Sequence, residues 1–265
     1  MRLKNKIVLV TGSTTGIGKA IALRCVAEGA SVIIHGLERD LGEQVVAEIG
    51  SDKAALHIED LRTEGTPQRL VDFAIAKFGR LDALVNNAAM VVSGNIHTTD
   101  IDFFRIVLDV NTLVPFMLIK TALPHLEKVG GCVLNIGSVN AYCGEPDLFP
   151  YSVSKGALMT MTRNLGDTLH RENGVRVNQI NPGWVLTETE TTRKRDQGLA
   201  DDWYTDLPRT YAPAGRILKP EEIAAAAIYW LADESGPVSG QVVDLEQHPF
   251  IGRNPPKDTS TISKK

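Results

Sequence analysis

The chain has 265 residues, 43% of them hydrophobic and 23% charged, with a net charge of −4 and a pI near 5.9. That is the balance of a globular protein with one large α/β domain or two small ones, without the basic excess of a nucleic-acid footprint. The opening apolar run, "KIVLV" at 6–10, is too short for a signal segment or a membrane span, and no other uninterrupted apolar run is long enough to cross a bilayer, so a soluble cytoplasmic protein is expected.

Short apolar runs at 6–10, 31–35, 54–58, 81–86, 131–137, 175–180 and 240–245 read as strands. Most are near-continuous in Val, Ile and Leu, as parallel strands covered on both faces are. Helical patterns at 17–28, 39–49, 64–78, 100–127, 152–171 and 220–232 lie between them. The alternation is that of repeated βαβ units, so the expectation is one domain over 1–265: a doubly wound parallel sheet of about seven strands with helices on both faces. Three cysteines cannot all pair; Cys25 and Cys132 sit in apolar patterns as small core residues, which fits a reducing compartment.

In chain order, "TGSTTGIG" at 11–18 joins the first strand to the first helix. Gly12 permits a tight turn, and Gly16 and Gly18 let backbone approach a pyrophosphate at a helix N-terminus. Asn111, in "LDVNTLVPF", is a polar residue in an apolar helix and by itself reads as locally bonded. Ser138 follows the fifth strand, where ligands bind beyond the carboxyl edge of parallel sheets; a plain turn or cap is the alternative. Tyr151 and Lys155 in "YSVSK" share a helix face at i,i+4, which suits either snorkelling or proton chemistry. The six histidines show no metal-ligand spacing, and no catalytic metal is expected. Residues 184–216 break the alternation and carry Trp184, Trp203, Tyr204 and Tyr211, the composition of a lid. The tail from about 246 to 265 is polar and proline-bearing and reads as extended.

The spacing G-x-x-x-G-x-G, followed in order by "NNAA" at 86–89 and "YSVSK", resembles the single-domain short-chain dehydrogenase/reductase family from about residue 3 to 245. The resemblance implies a Rossmann-type fold, a nicotinamide coenzyme and hydride exchange with a secondary alcohol or ketone. It assigns Tyr151 as acid/base, Lys155 as the group that tunes it, Ser138 as the residue bonding the reacting oxygen, and Asn111 as holder of a relay water. A free phenol titrates near 10. One ammonium at ~4 Å and an effective dielectric of ~20 gives roughly 4 kcal/mol before desolvation, about the 3 pK units that a base at neutral pH needs. Asp60 matches the acid that bonds the adenine amine, with an N-cap as the alternative. Asn86 and Ala88 match the adenine-ribose segment; Ala89 stands where the family usually has Gly. In "NPGWVLTE", Pro182, Gly183, Val185 and Thr187 match the segment that holds the nicotinamide carboxamide. Ser13, Thr14, Thr15, Ile17 and Leu61 complete the implied coenzyme contacts.

Coenzyme choice stays open. Gly36 stands where NAD users carry an acid and Leu37 where NADP users often carry Arg; Thr15 replaces another often basic position. Glu38 tilts the reading towards NAD, and Arg39 could reverse it. Ser138, Asn140, Tyr151, Trp184, Trp203 and Tyr204 are the expected substrate contacts, with Tyr142, Cys143, Glu145 and Asp147 as a mixed polar lining. A polar substrate, such as a sugar, polyol or hydroxy acid, follows from that lining. The resemblance also implies a homotetramer built on the helices at 100–127 and 152–171; the segment after 245, "EQHPFIGRNPP", departs from the family's usual ending, and whether it crosses a subunit boundary stays open. Two rivals remain: a catalytically silent dinucleotide-binding regulator, which has no need of all four catalytic residues, and an extended epimerase, for which this chain is short.

Overall fold

The β-branched and Leu-rich runs become strands because both sheet faces are covered. In the computed structural model, which describes residues 1–142, 144–249 and 251, these are β1 (Ile7–Val10), β2 (Ser31–Gly36), β3 (Ala54–Ile58), β4 (Ala83–Asn86), β5 (Cys132–Ile136), β6 (Arg176–Pro182) and β7 (Val242–Leu245). They form one parallel sheet in the order β3-β2-β1-β4-β5-β6-β7. Val8 pairs with Val32 on one side and Ala83 on the other, so chain direction across the sheet reverses at β1/β4. A crevice opens at such a switch point, beyond the carboxyl ends of the strands.

The covering helices are α1 (Gly16–Ala27), α2 (Arg39–Ile49), α3 (Thr66–Phe78), α4 (Ile101–Leu108), α5 (Val114–Glu127), α6 (Phe149–Asn173), α7 (Glu188–Asp196) and α8 (Pro220–Leu231). Alternate strand residues feed two cores. Val8, Val10, Ile34, Leu134 and Ile180 pack with α1 and α8, while Leu9, Ile33, Leu84, Val133 and Val177 pack on the other face with α3 and α5. This alternation is the period of two expected of a strand.

The single helix expected over 100–127 is instead α4 and α5 joined by a π turn at Asp109–Leu113. The combined Ile101–Glu127 stretch, though interrupted by Asp102, Arg105, Asp109, Asn111 and Lys120, is long and apolar enough, by length and composition alone, to cross a membrane, its most apolar 18 residues having a mean hydropathy of 1.6. In this fold its Val107, Leu118, Ile119 and Leu126 are buried in the protein. Helix α6 starts at Phe149, earlier than expected, with Pro150 in its first turn, where a missing N–H is harmless. Within 184–216 the chain forms α7 and then mostly turns. Cys143 and the tail beyond 251 fall outside the described residues.

Candidate active site

A cavity of about 1120 Å³ runs along the carboxyl edge of the sheet, from His35, Gly36, Leu37 and Glu38 at one end to Trp184, Arg193 and Tyr211 at the other. It brings together most of the residues the sequence singled out: Gly12, Thr14, Thr15, Gly16, Ile17, Asp60, Leu61, Ala88, Ser138, Asn140, Tyr151, Lys155, Pro182, Gly183, Trp184, Val185 and Thr187 all line it.

Its first wall is the turn between β1 and α1. Gly12 and Gly16 have positive φ angles of 61° and 53°, which side-chain-bearing residues rarely adopt. A Cβ at Gly12 would lie 2.9 Å from the Ala88 Cα, so the turn can rest on the loop after β4 only as glycine. Thr11 and Asn87 tie the two together. Thr11 Oγ1 accepts from the N–H groups of Asn87 (3.0 Å) and Ala88 (3.1 Å), and Asn87 Nδ2 donates to the carbonyls of Thr11 and Gly12, both at 2.9 Å. His35 closes the turn from below: Nε2 donates to Glu59 O (3.0 Å), so Nδ1 accepts from Gly12 N–H (3.4 Å). Burial pushes His35 down to about 4, so it holds this neutral tautomer at physiological pH. The search for metal spacings passed over this residue; its signal was a histidine at the end of an apolar strand.

Three expected coenzyme contacts lie elsewhere. Ser13 is fully buried, donates to Val10 O (2.7 Å) and accepts from His35 N–H (3.0 Å). Gly18 faces the turn itself, where a Cβ would come within 2.5 Å of Asn87 Nδ2. Asn86 points into the protein and donates to Asn135 Oδ1 (2.9 Å); its neighbours Asn87 and Ala88 line the cavity instead. Strand alternation explains the difference, since adjacent residues take opposite faces.

At the adenosine end, Thr14 Oγ1 donates to Glu38 Oε2 (3.0 Å). Gly36 has no positive φ; its constraint is Thr14, whose Cγ2 a Cβ would meet at 2.5 Å. Arg39 turns along α2 towards Glu43 (3.8 Å) and does not line the cavity. A cation missed from the sequence, Arg62, does line it, forked onto Asp60 at 2.6–3.2 Å. That fork, with the Arg62 N–H, holds the Asp60 carboxyl below its ordinary range.

The middle of the cavity is lined by Ser138, Tyr151 and Lys155. Ser138 Oγ accepts from Asn140 N–H (3.1 Å), which fixes the oxygen, and its side chain also hydrogen-bonds the Tyr151 phenol. Behind it a buried chain of polar side chains, unread in the sequence, supports the loop. Asn135 donates to Thr162, Thr162 Oγ1 lies 2.7 Å from Gln179 Oε1, Gln179 Nε2 donates to Asn181 Oδ1 (2.7 Å), and Asn181 Oδ1 also accepts from Ser138 N–H (3.2 Å). Satisfied chains of this kind fix one geometry. Asn111 lies behind the lining, with its side chain occupied: Oδ1 accepts from Met90 N–H (2.8 Å), and Nδ2 donates to Met90 O and Ser154 Oγ, both at 3.0 Å. Asn111 sits within the π turn between α4 and α5.

Tyr151 and Lys155, on successive turns of α6, are 8% and 2% exposed. The electrostatics differ from the simple pairing expected. Lys155 Nζ donates to Ile136 O (2.8 Å) and stands 5.7 Å from the Tyr151 ring centroid. Burial pushes the phenol up to about 12, against smaller downward pulls from Ser138 and the Arg193 charge, and burial lowers the ammonium to about 8. In the protein alone, desolvation of both groups outweighs their attraction.

At the far end, Thr187 Oγ1 accepts from Glu190 N–H (3.1 Å) and caps α7. The inner face of α7 is a polar cluster at i,i+3,i+4 spacing. Glu190 accepts from Trp184 Nε1 (2.7 Å) and from Arg193 Nε (2.8 Å) and Nη2 (2.9 Å), and Lys194 Nζ lies 5.4 Å from the Trp184 ring centroid. Trp203 and Tyr204, expected at the substrate, lie outside the lining. Trp203 stacks on Trp184 (5.1 Å) and Tyr204 meets Trp203 edge-on (5.7 Å), so they buttress the Trp184 ring. The E-x-x-R-K spacing was the available signal for Glu190, Arg193 and Lys194.

A glycine turn at a helix N-terminus, opening into the same crevice as Ser138, Tyr151 and Lys155, defines a dinucleotide-dependent oxidoreductase. Comparison with known proteins agrees. The profile of the family described as Enoyl-(Acyl carrier protein) reductase matches residues 12–246. The meso-2,3-butanediol dehydrogenase of Serratia marcescens is 32% identical over 93% of this chain and 95% of its own length. The NADP-dependent (R)-specific alcohol dehydrogenase of Lentilactobacillus kefiri is 32% identical over 88% and 92%, and glucose 1-dehydrogenase 2 of Bacillus subtilis 34% over 92% and 94%. The chain belongs to the short-chain dehydrogenase/reductase family and is an enzyme of CH–OH oxidation or C=O reduction rather than a silent regulator.

Proposed function

We propose that the enzyme exchanges hydride with a polar secondary alcohol or its ketone, with Tyr151 as acid/base, Ser138 donating to the reacting oxygen, and Lys155 and Asn111 completing the proton path. The observation that carries this is one cavity joining the Gly12–Gly16 turn to Ser138, Tyr151 and Lys155. The fit to a dinucleotide rests on the same turn: glycine alone allows its backbone to approach a ligand so closely, at the N-terminus of α1, where an anionic group, the Glu188 carboxylate, already accepts from Gly16 N–H (3.2 Å). A bound nicotinamide coenzyme supplies the hydride acceptor or donor and, when oxidised, a positive charge. In oxidation Tyr151 takes the hydroxyl proton as hydride leaves the same carbon; in reduction Tyr151 returns it. Since burial holds the free phenol near 12, the protein's own charges do not prepare a phenolate, and base strength has to develop in the coenzyme complex.

Thr14, Thr15, Gly16, Ile17, Asp60, Leu61, Asn87 and Ala88 are the proposed adenosine and phosphate contacts, and Pro182, Gly183, Val185 and Thr187 the nicotinamide contacts. NAD is the proposed coenzyme. Glu38 stands at the adenosine end as an acceptor for ribose hydroxyls and a repellent for a ribose phosphate, while Arg39 faces away. Residues 184–216 serve as the lid. The two described cysteines, both buried and free, suit a reducing, cytoplasmic setting.

Tyr151→Phe tests the assignment. Turnover should fall at least roughly a hundredfold with either coenzyme, the lower end of a general acid/base contribution, while coenzyme binding by fluorescence titration persists. Near-normal turnover in this variant would reject Tyr151 as the acid/base.

A further inference from the structure

The lid end of the cavity carries charge that hydride transfer does not use. Arg193 and Glu190 form a two-point fork whose side chains are 19% and 11% exposed, and the Trp184 indole N–H fixes the carboxylate from the side. Arg193 Nη1 makes no hydrogen bond among the described residues. Lys194 lies 4.0 Å from the same carboxylate, and Glu145 lines the cavity opposite. Arg193, Glu190 and Glu145 line the same cavity as Tyr151, and the charges of Arg193 and Glu145 act on its phenol.

Beside Lys155, which is tied to the Ile136 carbonyl, the charged groups here are Arg193 and Lys194 against Glu190, Glu145 and Glu246, whose carboxylate accepts from the Trp184 backbone N–H (2.9 Å). An apolar substrate would desolvate these groups and offer Arg193 Nη1 no acceptor, which is unfavourable. A carboxylate substrate would gain Arg193 but meet three acids. A hydroxyl both donates and accepts, and so matches a fork that presents one of each.

We propose that the substrate is a neutral vicinal polyol, a sugar or an open-chain alditol, and that the Arg193–Glu190 fork holds the hydroxyl next to the reacting carbon. Arg193 Nη1 donates to that oxygen and Glu190 accepts its proton, while Ser138 and Tyr151 hold the reacting oxygen. The assignment rests on the oxidoreductase reading above and deepens it, because sites built to bond a hydroxyl reject analogues that lack it.

The test compares substrates that differ by one hydroxyl, 2,3-butanediol against 2-butanol and an aldohexose against its 2-deoxy form, with 3-hydroxybutyrate as the carboxylate control. Initial rates are measured with NAD and with NADP. The neighbouring hydroxyl should raise kcat/KM at least tenfold in the wild-type enzyme. In Arg193→Ala that ratio should fall to within about threefold of one, mainly through KM. Arg193→Lys keeps the charge but not the fork, and should also lower the ratio. A wild-type ratio near one, a ratio unmoved in both variants, or a preference for 3-hydroxybutyrate that Arg193→Ala abolishes would each overturn the inference while leaving the oxidoreductase reading intact. Coenzyme binding without turnover of any of these compounds would instead count against the oxidoreductase reading, and the polyol assignment would fall with it.

Discussion

At the scale of single residues, the site keeps a cation where the fold alone would not place one. Lys155 is 2% exposed, and burial lowers it from 10.5 to about 8. A base whose folded pKa is depressed opposes folding whenever it is protonated. The penalty is full below about 8, fades as pH rises and is gone above 10.5; a shift of this size corresponds to about 3 kcal/mol. Lys155→Met, which keeps the chain length without the charge, should therefore be more stable than wild type at pH 7 while losing activity. Its advantage is trimmed by the lost bond to the Ile136 carbonyl. Thermal melts from pH 7 to 10.5 check this: the gap between variant and wild type should shift steadily in favour of wild type as pH rises. A gap independent of pH would mean that burial does not lower the Lys155 ammonium in the folded protein.

At the scale of elements, α7 differs from every other helix: none of its residues is buried. It lies over the cavity by the Thr187 cap, the Glu190–Arg193 fork and the Trp184 indole, not by an apolar face. Such an element opens at low free energy, as lids do. Glu190→Ala removes the common acceptor of Trp184 and Arg193, so α7 should open more often, exposing the bonds after Arg193, Lys194 and Arg195. Limited trypsin digestion should cut the variant there several-fold faster than wild type, with the sheet core uncut. Equal cleavage rates would show that the fork does not hold the lid.

At the scale of the whole molecule, apolar side chains remain on one set of helices. Leu113, Phe116 and Met117 on or next to α5, and Phe149 and Val153 on α6, are 36–49% exposed. The sequence reading assigned these same helices to a homotetramer interface, and an exposed apolar surface of this kind marks an interaction site. Light scattering at micromolar concentration should give a tetramer, and Phe116→Asp should shift it to smaller species. A wild-type monomer would remove the tetramer from the proposal.

Much of this was legible in the chain. Local rules were enough for the strands, because a parallel strand buried on both faces must be apolar throughout, as "IVLV" and "SVII" are. They were enough for the glycine turn, because only glycine takes the required φ, and for the Tyr151/Lys155 pair, because i,i+4 is a local property of α6. The tertiary structure decided the rest. It turned Asn86 and Ser13 inward and brought Asn87, His35 and Arg62 to the cavity lining. It placed Trp203 behind Trp184 rather than in the cavity. It also assembled the Glu190–Arg193 fork against an indole, and reversed the expected shift of Tyr151. Each of these depends on which groups from distant segments are desolvated together, and burial is a property of the folded whole that no local spacing records.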